Sequence, residues 1–318
     1  MTDVDTEFDS FRYGQYSPTN ANPGIEKGTY LLANLFKELG LRATFHIQEE
    51  NDPNQKISNR YPAVIEFLDE EDFEIGLHIH IKSLDKEIRR ARIHEGVSGL
   101  RALGYRIRSY RAGWYFTSTS TIEALEENDI EFDCSPVKNS RVGPMRWYEL
   151  PDSPYNPSRH DITRIGKSNV LVIPVTNYRL SVNYWPNSYP ERRQAQKAMI
   201  EGIRFLGSLS ERLSTPVILY ITTHSWKPIS ENGESIREWV EERFRALVDT
   251  VSEFEYESNT VADVGDRWKK GGYEPYWYDA PDILGKILPW SSPRKHSRLN
   301  RIIGSRLLAL NYHLTGKL

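Results

Sequence analysis

Hydrophobic residues follow two alternating patterns along the chain, and together they predict a parallel α/β fold. Short apolar runs typical of strands are separated by longer segments with apolar residues near a 3.6-residue period. Seven strands are predicted, at residues 2–5, 42–47, 73–79, 106–110, 130–134, 170–175 and 217–222. Strands that alternate with helical segments indicate βα units around a parallel sheet, either closed or open.

The segments between these strands predict helices that pack against the sheet. They cover residues 24–39, 62–70, 84–103, 118–128, 190–213 and 234–254, and Gly40 ends the first of them. Residues 135–169 break the alternation, because they are rich in proline and lack a clean period. A long irregular stretch inside a compact domain is often a lid or a binding loop.

The pattern changes after about residue 265, which predicts one α/β domain over residues 1–265 and a separate segment over residues 266–318. Prolines punctuate the start of this segment, and its last 25 residues combine several arginines with one apolar helical stripe, formed by Leu299, Ile302, Ile303, Leu307 and Leu310. A basic amphipathic tail of this kind would dock on its own domain, join two copies into a homo-oligomer, or contact an anionic membrane surface.

Composition and charge exclude several classes of protein. The 318 residues carry a formal net charge of -3, so there is no basic field to attract nucleic acid. The single cysteine, Cys134, excludes an internal disulfide framework and a multi-cysteine zinc site. The start MTDVDTEFD lacks a basic region followed by an apolar stretch, and no window reaches the apolar length of a membrane span. A cytoplasmic protein is therefore expected, with membrane association only through the tail.

Two histidines occupy one face of the third predicted strand, in the sequence EIGLHIHIKS. Side chains alternate along a strand, so His78 and His80 project from the same face, close enough to bind one ion. Neutral imidazole is the commonest metal ligand in proteins. A pair of histidines needs a carboxylate elsewhere to complete a metal site.

Candidate partners fall at the ends of other predicted strands. Asp3 and Asp5 share one face of the first strand, Arg111 follows the fourth in SYRAGWY, and His224 follows the seventh in YITTHSW. Parallel strands bring all their carboxyl ends to one edge, where α/β folds collect catalytic groups. Two histidines and a carboxylate leave coordination positions open for water and substrate, which suits hydrolysis at zinc or another divalent ion.

These motifs, in this order, resemble those of the polysaccharide deacetylases of the NodB homology family. TDVDTE resembles the first motif, in which one acid is the base and a following acid binds metal. GLRATFHI resembles the second-strand signature, EIGLHIH the histidine motif, SYRAGWYFTSTSTIEALEENDIEFDCS the arginine motif and THSW the closing histidine motif. The resemblance covers about residues 1–265 and implies an irregular seven-stranded (β/α) barrel of the glycoside hydrolase/deacetylase type.

The chain departs from this family at three positions. Many members space the metal histidines at i and i+4, where this chain has Lys82, so His78 and His80 resemble the closer pair of some relatives. The usual proline after the motif arginine is absent, and Trp114 becomes the candidate backbone donor to the oxyanion. His46 stands where the family commonly has an aromatic residue, and it is expected to be a wall residue.

The resemblance implies a metal-dependent hydrolase that removes an N-acetyl group from a glycan or amino sugar. It makes Asp5, His78 and His80 the ligands of a divalent ion, expected to be zinc. Asp3 would be the base, Arg111 would orient it, and a protonated His224 would donate to the departing amine. Expected substrate-binding residues are Trp114, Tyr115 and Trp226, whose rings can stack on sugars, and Tyr155 and Ser158, from a segment that resembles one found in some members.

Two other functions remain open at this point. The same metal chemistry would hydrolyse a non-sugar amide or imide, because it does not depend on what carries the carbonyl. The chain could also be a catalytically silent barrel that binds glycans without turnover.

Overall fold

One parallel sheet dominates the computed structural model, which describes residues 1–8, 22–139, 149–180, 192–213, 215–230 and 233–283. Its strands, in the order in which they lie side by side, are β8 (Leu171–Val172), β5 (Phe132–Asp133), β4 (Ser109–Ala112), β3 (Glu74–Ile79), β2 (Ala43–Gln48), β1 (Thr2–Thr6) and β9 (Ile221–His224). Each neighbouring pair is parallel. The sheet curls into a half-barrel, so the predicted fold class and all seven predicted strands are confirmed.

Helices cover the outer face of this half-barrel. They are α1 (Thr29–Glu38), α2 (Ile57–Arg60), α3 (Pro62–Glu70), α4 (Lys86–Ala102), α5 (Thr119–Glu127), α6 (Arg192–Ser210), α7 (Glu238–Val251) and α8 (Val261–Gly271). No helix within the described ranges is both long enough and apolar enough to span a membrane.

The strand register separates an apolar outer face from a polar inner face. Residues paired in a parallel ladder point to the same side of the sheet. Val4 pairs with Phe45, which pairs with Ile75, and this row packs under the helices. The next row pairs Asp5 with His46 and with His224. The alternation of the sequence therefore directs the polar residues of every central strand into the barrel.

The predicted loop over residues 135–169 contains a small hairpin. Strands β6 (Pro157–Ser158) and β7 (Asp161–Ile165) pair antiparallel, and Tyr155 bridges this unit to Val172 at the edge of the main sheet. With two and five residues, these strands are too short to show a clear alternation of apolar and polar residues in the sequence.

Helix α8 crosses the predicted domain boundary at residue 265 without interruption. Its N-terminus is tied to the sheet, because the backbone N–H of Val261 donates to Thr44 Oγ1 at 2.9 Å and that of Ala262 donates to Glu74 Oε2 at 2.8 Å. Trp268 is buried. The boundary stays a prediction, and the predicted basic tail lies outside the described residues.

Glu49, just beyond β2, is a buried acid whose ionisation opposes folding. It is 1% exposed, and burial raises its pKa to about 7, although Ser58 donates two hydrogen bonds to it, from N at 2.8 Å and from Oγ at 2.7 Å. A carboxyl group with a raised pKa in the folded state contributes stability below its ordinary pKa of 4.5, and this is lost as the pH rises through about 7.

Replacement of this acid by its neutral isostere should stabilise the protein in a pH-dependent way. Relative to the native protein, the free energy of unfolding of Glu49→Gln should rise between about pH 5 and about pH 8, by up to roughly 3 kcal/mol. Urea unfolding at both pH values in the presence of a chelator measures this difference. Glu66→Gln, at an exposed position of α3, is the control, and an equal pH response in both variants would contradict the account.

Candidate metal centre and active site

Side chains from β1, β3 and β9 meet at the carboxyl edge of the sheet. Glu7, the residue that directly follows β1, lies among His78 and His80 of the β3 segment and His224 at the end of β9. The distances are 3.4 Å from Glu7 Oε2 to His78 Nε2, 3.5 Å from the same oxygen to His80 Nε2, and 3.3 Å from Glu7 Oε1 to His224 Nε2. We call Glu7, His78 and His80 the Glu-His-His cluster.

The cluster has the composition and compactness of a divalent metal site. One ligand atom from each of its three residues lies within 4.8 Å of the other two. Neither ring nitrogen of the buried His78 has a hydrogen-bond partner within the described residues. A buried polar atom without a partner is costly, and one carboxylate with two imidazoles is a known set for catalytic zinc. These residues therefore fit a divalent ion.

The pKa shifts in the cluster show that its carboxylate and its histidines stabilise each other's charged forms. Burial alone would raise the pKa of Glu7, but the neighbouring His224, His78 and His80 outweigh it and hold this pKa well below its usual range. Burial alone would lower the pKa of His78, yet Asp5 and Glu7 raise it above its usual value. A lowered carboxyl pKa and a raised imidazole pKa are the shifts that a buried carboxylate and histidine produce when they pair, and the raised pKa of His78 reflects the negative charge of two carboxylates near its ring.

Glu50, which follows β2, fixes the orientation of His80. Its Oε1 accepts a hydrogen bond from His80 N at 2.9 Å and lies 2.8 Å from His80 Nδ1, while Arg92 donates to its Oε2 at 2.7 Å. Burial raises the pKa of Glu50, but the hydrogen bonds and charge of His80 outweigh burial and lower it to about 2. An ionised carboxylate only accepts, so Nδ1 carries the proton and Nε2 is left to bind an ion.

Asp3 lies deeper in the barrel, in a closed network of its own. It is 0% exposed, and both Arg111 Nη2 and the hydroxyl of Tyr220 donate to its Oδ2. His46 Nδ1 lies 3.4 Å from the same oxygen. Burial would raise the pKa of Asp3, but Arg111, His46 and Tyr220 together outweigh burial and lower this pKa well below its usual range.

Asp5 lies one pleat nearer the cluster than Asp3. It is 4% exposed, its Oδ1 is 3.6 Å from Arg111 Nε and 3.8 Å from His78 Nδ1, and that oxygen has no hydrogen-bond partner among the described residues. The structure groups Asp5 with Asp3 and His46, while Glu7 takes the place beside both histidines that the sequence assigned to Asp5. The reason is geometric, because Asp3, Asp5 and Glu7 share one face at a period of two, and only the third acid lies beside both histidines.

A strained turn after β4 presents two aromatic rings to the site. Trp114 and Tyr115 both have left-handed backbone angles, with φ of 53° and 58°. Two such residues in succession are costly outside glycine and are typical of functional sites. A side chain at Gly113 would collide with the His80 ring, since an added Cβ would lie 2.0 Å from its Cδ2. The ring centroid of Trp114 lies 4.6 Å from that of His80.

Buried hydrogen bonds hold this turn in its strained shape. Asp133 accepts from Ser135 and from Thr117 Oγ1, the latter at 2.8 Å, and Ser135 Oγ in turn accepts from the backbone N–H of Ala112 at 2.8 Å. Arg89 donates to the carbonyl of Phe116 at 3.1 Å. Apart from Thr117, which directly follows the turn, these supports come from distant segments, so the sequence does not place them near the site.

His224 and its neighbours form the other side of the site. Trp226 Nε1 donates to Glu7 Oε1 at 3.0 Å, and its ring lies 5.5 Å from that of His224. Burial and the nearby Lys227 lower the pKa of His224 to about 4, so the ring is neutral at pH 7 and not the protonated acid expected from the sequence. Burial lowers the pKa of Lys227 below its usual value, although Glu7 and Asp5 oppose this shift.

Tyr155 and Ser158 are the two expected substrate residues that the structure places elsewhere. Tyr155 is 1% exposed and its hydroxyl donates to the carbonyl of Ile162 at 2.7 Å, which makes it part of the core. Ser158 Oγ accepts from the backbone N–H of His160 within the β6–β7 hairpin. Trp114, Tyr115 and Trp226 do lie at the site: the Tyr115 ring is 5.3 Å from the Arg111 guanidinium carbon.

Comparison with known proteins gives no match by sequence and a clear match by fold. No protein-family model matches the chain, and no curated protein does. A solved structure from Mycobacterium smegmatis, assigned as a polysaccharide deacetylase, superposes with a TM-score of 0.56 at 16% identity and covers 88% of this chain and 94% of its own. A family 4 carbohydrate esterase from Streptomyces lividans in complex with acetate has a TM-score of 0.41 at 10% identity and covers 79% and 86%.

A CE4 family pseudoenzyme from Bacillus anthracis is also similar, with a TM-score of 0.45 at 8% identity over 83% of this chain and 64% of that one. At 16% identity the likeness shows the fold alone. The chain thus has a deacetylase-type barrel, and its resemblance to polysaccharide deacetylases is confirmed at the level of the fold.

Proposed function

We propose that this chain is a metal-dependent hydrolase that removes an N-acetyl group from a glycan or amino sugar. The observation that carries the proposal is the Glu-His-His cluster at the carboxyl edge of a deacetylase-type barrel, with Asp5 on one side and His224 on the other. This edge is where parallel barrels carry their active sites.

Glu7, His78 and His80 would hold the divalent ion, for which zinc is the first expectation. When bound, such an ion supplies a more acidic water and polarises the carbonyl oxygen of the amide. Glu50 contributes by fixing the His80 ring, and Asp5 by lying beside Nδ1 of His78. Carboxylates in contact with the outer nitrogen of a ligand histidine orient the ring and raise its basicity.

Asp5 is our candidate for the base that accepts the proton of the attacking water. Among the two acids of β1, it is the more exposed, and its Oδ1 lacks a hydrogen-bond partner within the described residues. Asp3, the base expected from the sequence, has its Oδ2 bonded to Arg111 and Tyr220. We propose that Asp3 instead anchors Arg111, whose Nε lies 3.6 Å from Asp5 Oδ1.

His224 is our candidate for the group that protonates the departing amine. Its low pKa makes the protonated ring a strong donor that is scarce at neutral pH. The proton that Asp5 accepts from the attacking water would therefore have to reach His224 before the C–N bond breaks. The rings of Trp114 and Trp226, on either side of the cluster, suit stacking on the apolar faces of a sugar.

Metal binding should separate the roles of Glu7 and Asp5. Glu7→Gln and His80→Ala should each weaken zinc binding by at least about 100-fold, because each removes a ligand. Asp5→Asn should weaken it by about tenfold or less, the effect of a lost outer contact. Titration calorimetry with the metal-stripped protein measures both. If Asp5→Asn loses zinc binding while Glu7→Gln retains it, the metal ligand is Asp5 and not Glu7.

Glu50 should control metal affinity without touching the ion. We expect Glu50→Gln to weaken zinc binding by about 10- to 100-fold, because a neutral amide no longer fixes the His80 tautomer. Glu95→Gln, which alters an exposed acid paired with Lys56 on the outside of α4, is the matched control. Equal zinc affinities in the two variants would show that His80 needs no such support.

Turnover should depend on Asp5 in the metal-loaded protein. With N-acetylated sugars and small amides as a panel, we expect acetate release from the sugars, and a fall in kcat of about 10²- to 10⁴-fold in Asp5→Asn. Acetate and amine assays at matched zinc content provide the measurement. Turnover of the small amides alone would favour a non-sugar substrate, and sugar binding without turnover under any metal would indicate a silent barrel.

A further inference from the structure

Two lysines flank the proposed site, each over the face of a tryptophan. On the β3 side, Lys82 Nζ lies 4.9 Å from the ring centroid of Trp114, whose other neighbour is the His80 ring at 4.6 Å. Lys82 is exposed, so its ammonium group stands at the surface of the site. The cation–π contact holds the ammonium group near the ring without neutralising its charge.

The β9 side repeats this arrangement. Lys227 Nζ lies 5.2 Å from the ring centroid of Trp226, and that ring lies 5.5 Å from the His224 ring. Lys227 is half-buried. The two Lys-Trp pairs are thus connected through the histidines that contact Glu7, and they lie on opposite sides of it.

Neither lysine has a carboxylate within 4.0 Å in the described part of the chain, whereas the two arginines of the site do. Arg111 is paired with Asp3, and Arg92 with Glu50. These arginines compensate the inner acids, and a divalent ion would compensate Asp5 and Glu7. The two ammonium groups then remain as uncompensated positive charge at the mouth of the site. For Lys227, which is half-buried, this charge is partly desolvated and is unfavourable until an anion meets it, whereas the exposed Lys82 adds a solvated charge at the mouth of the site.

We propose that the substrate is an acidic saccharide, with a carboxylate or a phosphate close to the N-acetyl group that is removed. This inference rests on the proposed function and specifies its substrate class. Lysine acts as a compact point charge with three rotatable donors, so it accepts either anion without a fixed geometry. The tryptophan beneath each ammonium offers a sugar ring a stacking face beside the charge.

Binding measurements with matched sugars test this proposal independently of turnover. The probes are N-acetylglucosamine, its 1-phosphate and an N-acetylated hexosaminuronic acid, titrated calorimetrically into the zinc-loaded protein at low and high ionic strength. At least one acidic sugar should bind about tenfold more tightly than the neutral sugar at low ionic strength, and less so at high ionic strength. The stronger of the two acidic probes identifies the anion as phosphate or carboxylate.

Variants assign the preference to the lysines. The double variant Lys82→Met/Lys227→Met should lose the preference, the double variant Lys82→Arg/Lys227→Arg should keep it, and Lys197→Met, at an exposed position of α6, should behave as the native protein. Inorganic phosphate is titrated alongside, because the affinity of an anion bound by zinc itself would not change in Lys82→Met/Lys227→Met. Equal affinity for acidic and neutral sugars, or a preference that persists in Lys82→Met/Lys227→Met, would overturn the proposal.

The proposed function fails by a different result. A lysine-dependent preference without release of acetate from any sugar would leave this inference standing and contradict hydrolysis. Rapid hydrolysis of a neutral sugar, without any preference for acidic sugars in binding, would support hydrolysis and contradict the acidic substrate.

Discussion

The structure depends on the compensation of buried negative charge at the carboxyl edge of the sheet. Four carboxylates, Asp3, Asp5, Glu7 and Glu50, are buried there. Buried charges are tolerated only when paired, since their desolvation is expensive. Arginines compensate the acids at the two extremes, in the pairs Asp3–Arg111 and Glu50–Arg92. The two acids between them, Asp5 and Glu7, have mostly histidines as neighbours. This excess of negative charge favours the binding of a cation.

The same constraint explains the division of labour among the three acids of the first segment. Because Asp3, Asp5 and Glu7 follow one another on one face, they form a column that runs from the interior to the mouth of the barrel. The deepest acid organises Arg111, the middle one lies between Arg111 and His78, and the outermost meets the histidines. In the proposed mechanism, depth in the barrel, and not residue type, separates the anchor Asp3, the base Asp5 and the metal ligand Glu7.

Much of this was predictable from the sequence, and the rest was not for identifiable reasons. The seven strands and the edge that holds His78, His80, Arg111 and His224 follow from apolar runs and from the common direction of parallel strands. The two-residue period shows which face of the strand the acids share, but not which of them lies level with the histidines. The sequence therefore could not decide whether Asp5 or Glu7 is the candidate metal ligand, although the continued spacing in DVDTE included Glu7 in the series. Whether Tyr155 binds substrate or packs in the core depends on what its hydroxyl contacts. That partner, the carbonyl of Ile162, is visible only in the folded structure.

The most direct test of the central claim is the position of the metal ion. Anomalous diffraction from crystals soaked in zinc should give one strong peak, within about 2.0–2.3 Å of a Glu7 carboxylate oxygen and of Nε2 of both His78 and His80. Asp5 should lie beside His78 and outside bonding distance of the ion. A peak bonded to Asp5 with Glu7 turned away, or no bound zinc at all, would contradict the account.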